Sequence, residues 1–297
     1  MDLRAIGMGL AFAFMWSSAF TTGHIIVAAA PPLYALAVRF LIAGLIGVSI
    51  AAAMGQTMRL TSQQWRGTFL FGLCQNALYL GLYFVAMQTV DASLASIIAS
   101  TMPLVVALAG WIWFGEPVKP LGAAGLVAGF LGVTVIMASR MSGGGLGHGI
   151  LLCGLGVLAL AFATLTVRGA SSGGNLLMIV GLQMFVGSVL LGAVAAVTEV
   201  WVVQWSLRLV LAFLYTTLVP GLLATWVWFK LVNRIGAVRA ATFHFLNPFF
   251  GVLVAALMLH EKVGPTDVLG VAIIAGGILA VQLSKQAPKP AAKQASR

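Results

Sequence analysis

The chain has 297 residues, of which 61% are hydrophobic and only 7% charged, with a formal net charge of +10. A soluble domain cannot hide that much apolar surface, which excludes an ordinary water-soluble enzyme or binding module. The solvent that fits is a bilayer, where about 20 apolar residues in a helix cross the hydrocarbon and the backbone bonds within itself.

Breaking the sequence at its charges and Pro/Gly clusters predicts ten helical spans: 5–29, 33–53, 67–88, 93–114, 121–140, 149–168, 176–198, 207–230, 240–259 and 266–284. The connections are short, so the expected fold class is all-α and integral to the membrane. Span one has no small-residue cleavage site with a polar follow-on, so it reads as a helix and not a removed signal. It carries Trp16 and Ser17 at mid-depth, too deep for Trp16 to be an interfacial anchor, then Thr21 and His24. Span two holds Arg39, the one cation inside a span. Such a residue can neutralise a substrate carboxylate, but snorkelling outward or bonding helix carbonyls is its more ordinary fate.

In span three, Asn76, Tyr79 and Tyr83 stand at i, i+3 and i+7, hence on one helical face. An amide and two phenols there suit an amino group, a carboxylate and a flat side chain. The same residue types also bond neighbouring helices to one another, and that reading stays open. Span four offers Ser96 and Ser100 just before Pro103, and span nine offers His244 and Asn247 beside Pro248. Phe162 and Thr164 in span six and Trp228 in span eight complete the candidate substrate-binding set. Gly122, Gly125, Gly129 and Gly132 share one face of span five and read as close helix packing. Cys74 and Cys153 lie far apart in separate spans, without metal-ligand spacing, and no structural disulfide is expected. No phosphate loop, metal-ligand cluster or nucleophile–base pair stands out, so no cofactor or metal is expected, and an intramembrane enzyme is the lesser alternative.

The stretch PLVVALAGWIWFGEPVKP, Pro103 to Pro120, returns 145 residues later as PFFGVLVAALMLHEKVGP, Pro248 to Pro265. Pro103, Glu116 and Pro120 map onto Pro248, Glu261 and Pro265 without a gap, and Gly125 and Gly132 map onto Gly270 and Gly277. The chain thus divides into repeats at 1–143 and 144–284, with a basic tail at 285–297. Five spans per repeat is an odd number, so the second copy enters the membrane from the other side. Inverted repeats mark alternating-access carriers, with cargo held near the midplane between them. Pro103 and Pro248, at membrane depth, are the candidate hinge points, because proline removes a backbone donor and bends its helix. Glu116 and Glu261, next to the prolines that start the following spans, read as helix caps rather than substrate contacts.

Of the 16 basic residues, 12 fall on the side that carries both termini and three, Arg140, Arg208 and Lys262, fall opposite. Positive residues mark the cytoplasmic face, so both termini are expected in the cytoplasm of a cell whose inner membrane holds the protein. That distribution makes anionic lipid, and not nucleic acid, the partner of the charge.

With these residues in view, the chain resembles the drug/metabolite transporter superfamily, of the ten-helix EamA type. WSSAF at 16–20 and AVRFLIAG at 37–44 resemble its first- and second-helix signatures. Pro103–Gly132 and Pro248–Gly277 resemble the strongest part of the pattern: proline, an apolar run, Gly-Glu, then a glycine-rich helix. His260 departs from it, standing where a glycine usually precedes the glutamate. The resemblance implies a bundle in which helices one, three, four, six, eight and nine surround a cavity. It also implies export of metabolites or drugs, with the aromatic amino-acid exporter branch the nearest fit.

The acidic residues are Asp2, Asp91, Glu116, Glu199, Glu261 and Asp267, each in a terminus, a loop or a span edge. A cation/proton antiporter usually needs a carboxylate at mid-depth to titrate and to bind the cation. The function expected is therefore outward facilitated diffusion of small amphipathic metabolites, chiefly neutral and aromatic amino acids, by a carrier working as a monomer. Multidrug or nucleoside export is the alternative.

Overall fold

The computed structural model describes residues 3–140, 147–166, 173–235 and 240–286. Among them, ten helices are long and apolar enough to cross a membrane: α1 (Leu3–Val27), α2 (Pro32–Ala53), α3 (Ser62–Ala86), α4 (Ala92–Trp113), α5 (Pro120–Ala138), α6 (Gly147–Leu165), α7 (Leu176–Thr198), α8 (Leu207–Val232), α9 (Thr242–Leu259) and α10 (Pro265–Lys285). Their number and order are those expected. One start is corrected: α3 begins at Ser62 and not at 67. Its first turn is held by a capping box in which Gln64 N–H donates to Thr61 Oγ1 at 3.2 Å and Thr61 N–H to Gln64 Oε1 at 2.8 Å. The polar Gln63, Gln64 and Arg66 obscured that turn in the hydropathy pattern. The last helix runs on to Gln286 and absorbs the first residues of the expected tail; the rest of that tail and the boundary at 143/144 lie outside the described residues.

Exchanging one half for the other maps most of the helix packing onto itself. Helices α2 and α7, α4 and α9, and α5 and α10 pack as mates, while α1 meets α8 and α9 just as α6 meets α3 and α4. The glycines show the same two-fold relation in detail. A Cβ on Gly125 would sit 2.7 Å from the Gly277 carbonyl oxygen, and one on Gly132 would sit 3.0 Å from that of Gly270. Exchange of the repeats turns one of these contacts into the other. In lipid, close backbone approach of this kind replaces the hydrophobic driving force that water would supply.

The repeated prolines mark repeated irregularities. Helix α4 breaks at Thr101, between runs Ala92–Ser100 and Met102–Phe114. Helix α9 opens with a 3₁₀ turn, Thr242–Leu246, before its α-helical run Asn247–Leu259. Pro103 and Pro248 each take the second position of the run that follows, where a missing N–H leaves no bond unmade. Both runs end on a left-handed residue, Gly115 at φ 62° and His260 at φ 56°. The histidine therefore adopts the glycine conformation and keeps the turn.

Two carboxylates stitch the bundle across sequence. Ala92 and Ser93 donate their backbone N–H groups to Glu261 Oε1 at 2.8 Å and Oε2 at 3.0 Å. Leu33 and Tyr34 N–H groups both donate to Glu199 at 2.9 Å. Each acid thus caps a helix start on the far side of the chain, where the dipole favours a negative charge. Glu116's mirror-image targets, residues 237 and 238, lie outside the described residues.

Candidate substrate cavity

Helices α3 and α8 occupy corresponding places in the two repeats, and both widen into π-helical turns at mid-membrane, Gly72–Leu80 and Val219–Leu223. Pro220 explains the second, since it cannot donate to the ladder. Irregular backbone at this depth is tolerated where it is buried in protein or lines a cavity. Here a cavity of about 700 Å³ lies against both turns, which supply Gln75, Asn76, Tyr79, Pro220 and Gly221 to its wall. That volume suits a small organic molecule.

The rings form two groups. In one, His244 stacks on Trp228, with centroids 5.1 Å apart at 17°, and on Phe12 at 5.4 Å, with Trp16 5.8 Å from Phe12. In the other, Tyr79 and Tyr83 lie 4.7 Å apart, with Phe20 5.9 Å from Tyr83. Rings prefer such offset-stacked and tilted arrangements to a face-to-face sandwich. Among them stand polar groups, several committed elsewhere: Asn76 Nδ2 donates to the Gln183 carbonyl at 2.9 Å, and Thr216 Oγ1 to the Ala212 carbonyl at 2.6 Å. The Tyr83 hydroxyl, His244 Nδ1 and Arg39 Nε are buried without a hydrogen-bond partner. No acidic side chain is among the described wall residues.

The cavity is open at one end only. Phe20, Tyr83, Phe84 and Met87, all at most 6% exposed, close it at the end away from the chain termini. At the terminal end its wall reaches partly exposed residues, among them Thr225, Trp228 and Lys285. Departures from two-fold packing agree. Helix α1 packs against α3 and the first run of α4, whereas α6 makes no comparable contact with α8 or α9 among the described residues.

Of the residues expected to meet cargo, Trp16, Asn76, Tyr79, Tyr83, Thr164, Trp228 and His244 line this cavity, as does Pro103. The others lie elsewhere. Ser17 Oγ donates to the Asn247 carbonyl at 3.1 Å, so both residues join α1 to α9. Ser96 packs where α4 crosses α9, so close to Gly251 that a Cβ there would collide with its hydroxyl. Ser100 Oγ donates to the Ser96 carbonyl at 2.7 Å within the helix. Phe162 is half-exposed and shares an outer stripe of α6 with Leu151, Leu155 and Leu158, the face that meets lipid. Pro248 is buried at the α9 break.

Arg39 corrects the ordinary expectation for a cation in a span: it neither snorkels nor bonds a carbonyl, but lies 7% exposed on the cavity wall. Gln75, Gln183 and Phe12 were also missed. Gln75 precedes Asn76 directly, about 100° round an α-helix, and the cavity is wide enough for neighbours to share its wall, as Arg39 and Phe40 also do. Cys74 and Cys153 are free, and no group of potential metal ligands exists among the described residues.

An all-helical membrane bundle built from two inverted halves around a central cavity is the architecture of a carrier. The EamA-like transporter family matches residues 3–138 and 147–283, one stretch in each half, and the chain belongs to that family. It is 28% identical over 279 residues to the uncharacterized transporter YvbV of Bacillus subtilis (strain 168), covering 94% of this chain and 91% of that one. It is 25% identical over 294 residues to the uncharacterized inner membrane transporter YedA of Escherichia coli (strain K12), covering 95% and 92%. Protein PecM of Dickeya dadantii (strain 3937) is 24% identical over 277 residues, covering 90% and 89%. A solved crystal structure superposes with a TM-score of 0.69 at 19% identity, covering 96% of this chain and 99% of that one, a likeness of fold. The protein is a multi-pass membrane transporter.

Proposed function

We propose that this transporter exports small amphipathic metabolites, chiefly neutral and aromatic amino acids, by alternating access and without a coupling ion. The observation that carries the reading is the cavity wall, which sets Trp16, Tyr79, Tyr83 and Trp228 among amide and hydroxyl groups, with no carboxylate among its described residues. Rings stack on rings, head groups find donors and acceptors, and nothing in the wall selects for a cation. Pro103 and Pro248 act as hinges, at the two breaks that the inverted repeats share. With 12 of 16 basic residues on the side of the termini, that side is cytoplasmic, and the open cavity takes cargo from the cell interior.

The test is uptake of labelled phenylalanine, tryptophan and threonine into proteoliposomes, with Tyr79→Ala and Tyr83→Ala beside the parent and with and without a pH gradient. The expected result is saturable exchange, favouring the aromatic pair, that both variants reduce about tenfold, the scale of one lost aromatic contact. Transport of nucleosides or organic cations in place of any amino acid would bring the alternative export reading forward.

A further inference from the structure

We infer that Arg39 is the cargo-recognising charge of this cavity, and that the substrates are amphipathic molecules bearing a carboxylate. The inference rests on the transport reading above but narrows it: acids and zwitterions are carried, and bare amines are not. An ionised side chain inside a membrane protein is costly and calls for a partner. Arg39 is 7% exposed, its Nε is buried without an acceptor, and among the described residues no hydrogen bond or ion pair ties its guanidinium to the protein. Its Cζ lies 5.1 Å from the Phe40 ring, which offsets part of the charge but occupies none of the in-plane donors.

A purely structural role does not fit. Met184 takes the corresponding place 145 residues on, so the second repeat builds the same helix pair with an apolar side chain at this position. Met184 lines the cavity too. The charge is therefore an asymmetry of the wall and not a requirement of the fold. The guanidinium reaches across to the second repeat: Arg39 Nη2 lies 3.5 Å from where a side chain on Gly221 would begin, so a long side chain there would meet it. A planar fork of donors on the cavity wall matches a carboxylate in two-point geometry. With no acidic wall residue to compete, the local field favours an anionic group at this point. An ammonium group has an acceptor on the same wall, because Asn76 spends Nδ2 on the Gln183 carbonyl and keeps its own oxygen.

The experiment is counterflow of labelled phenylalanine into proteoliposomes of the full chain, competed by 3-phenylpropionate, phenylalaninamide and phenethylamine. Counterflow of labelled 3-phenylpropionate is run in parallel. Arg39→Gln, Arg39→Lys and Gly221→Leu are compared with the parent, and ligand-induced shifts in melting are read in detergent. The carboxylate-bearing competitor should inhibit at least about tenfold better than either amine. Arg39→Gln should raise its half-inhibitory concentration about ten- to hundredfold, as for a lost bond to a charged group. Arg39→Lys should fall between, since lysine keeps the charge without the fork. Gly221→Leu should weaken the same competitor with the arginine still in place.

If Arg39→Gln does not fold, the melting shifts of the parent and of Gly221→Leu by phenylpropionate, against none by phenethylamine, still decide the matter. Amines that compete as well as phenylpropionate, or an Arg39→Gln variant that keeps the parent's preference, would overturn the anchor while leaving amino-acid transport standing. Arg39-dependent movement of phenylpropionate with no movement of phenylalanine would do the reverse. If neither compound binds or moves, both readings fall.

Discussion

Glu261 offers the sharpest link between one side chain and the closed end of the bundle. Helix α4 begins at Ala92, after Asp91, which as the N-cap residue makes no side-chain capping bond. The work falls to a carboxylate from the other repeat, at 2.8 and 3.0 Å from two N–H groups whose residues, Ala92 and Ser93, are both 0% exposed. With Glu261 in place, no water reaches either residue. Glu261→Ala therefore leaves two desolvated donors unpaired, at about 1–3 kcal/mol each, and a total near 3 kcal/mol is expected after allowing for the partial exposure of Glu261 itself. Glu261→Gln keeps one acceptor and loses the charge, so about half that cost is expected. In a detergent melt of a chain this size these costs correspond to falls of roughly 6 °C and 3 °C in midpoint. A Glu261→Ala variant that melts with the parent, or a glutamine variant that melts below the alanine one, would refute the cap.

Three further outcomes are expected. His260 holds φ 56° where glycine stands in the first repeat, so His260→Gly should stabilise the fold by about 1 kcal/mol, read as a higher melting midpoint. Pro103→Ala and Pro248→Ala should each lower the transport rate several-fold while melting within about 1 kcal/mol of the parent, because each proline sits where its missing N–H leaves no bond unmade; normal rates in both would remove the hinges. A cysteine added at the C-terminus should resist an impermeant thiol reagent in intact cells and react once the membrane is opened.

The bundle itself was legible in the sequence because the forces that define it are local. Twenty or so apolar residues between charges specify a span, and a repeat of Pro103–Pro120 at Pro248–Pro265, with five spans between, specifies inversion. The stripe Asn76, Tyr79 and Tyr83 was readable for the same reason: a helix fixes which of its own residues share a face. What each face meets is decided only by its neighbours. Ser17 spends its hydroxyl on the Asn247 backbone carbonyl because α1 crosses α9 at that depth, and Phe162 turns to lipid because α6 presents its other side to α3 and α4. Gln75 reaches the cavity because the helices around α3 leave a wide space there, which no residue pattern announces. Arg39 shows the division most plainly. Its identity was plain in the sequence, but a long side chain can reach either the outer surface or the cavity, and only the packing of the helices around it places it on the cavity wall, beside Gly221 of the other repeat.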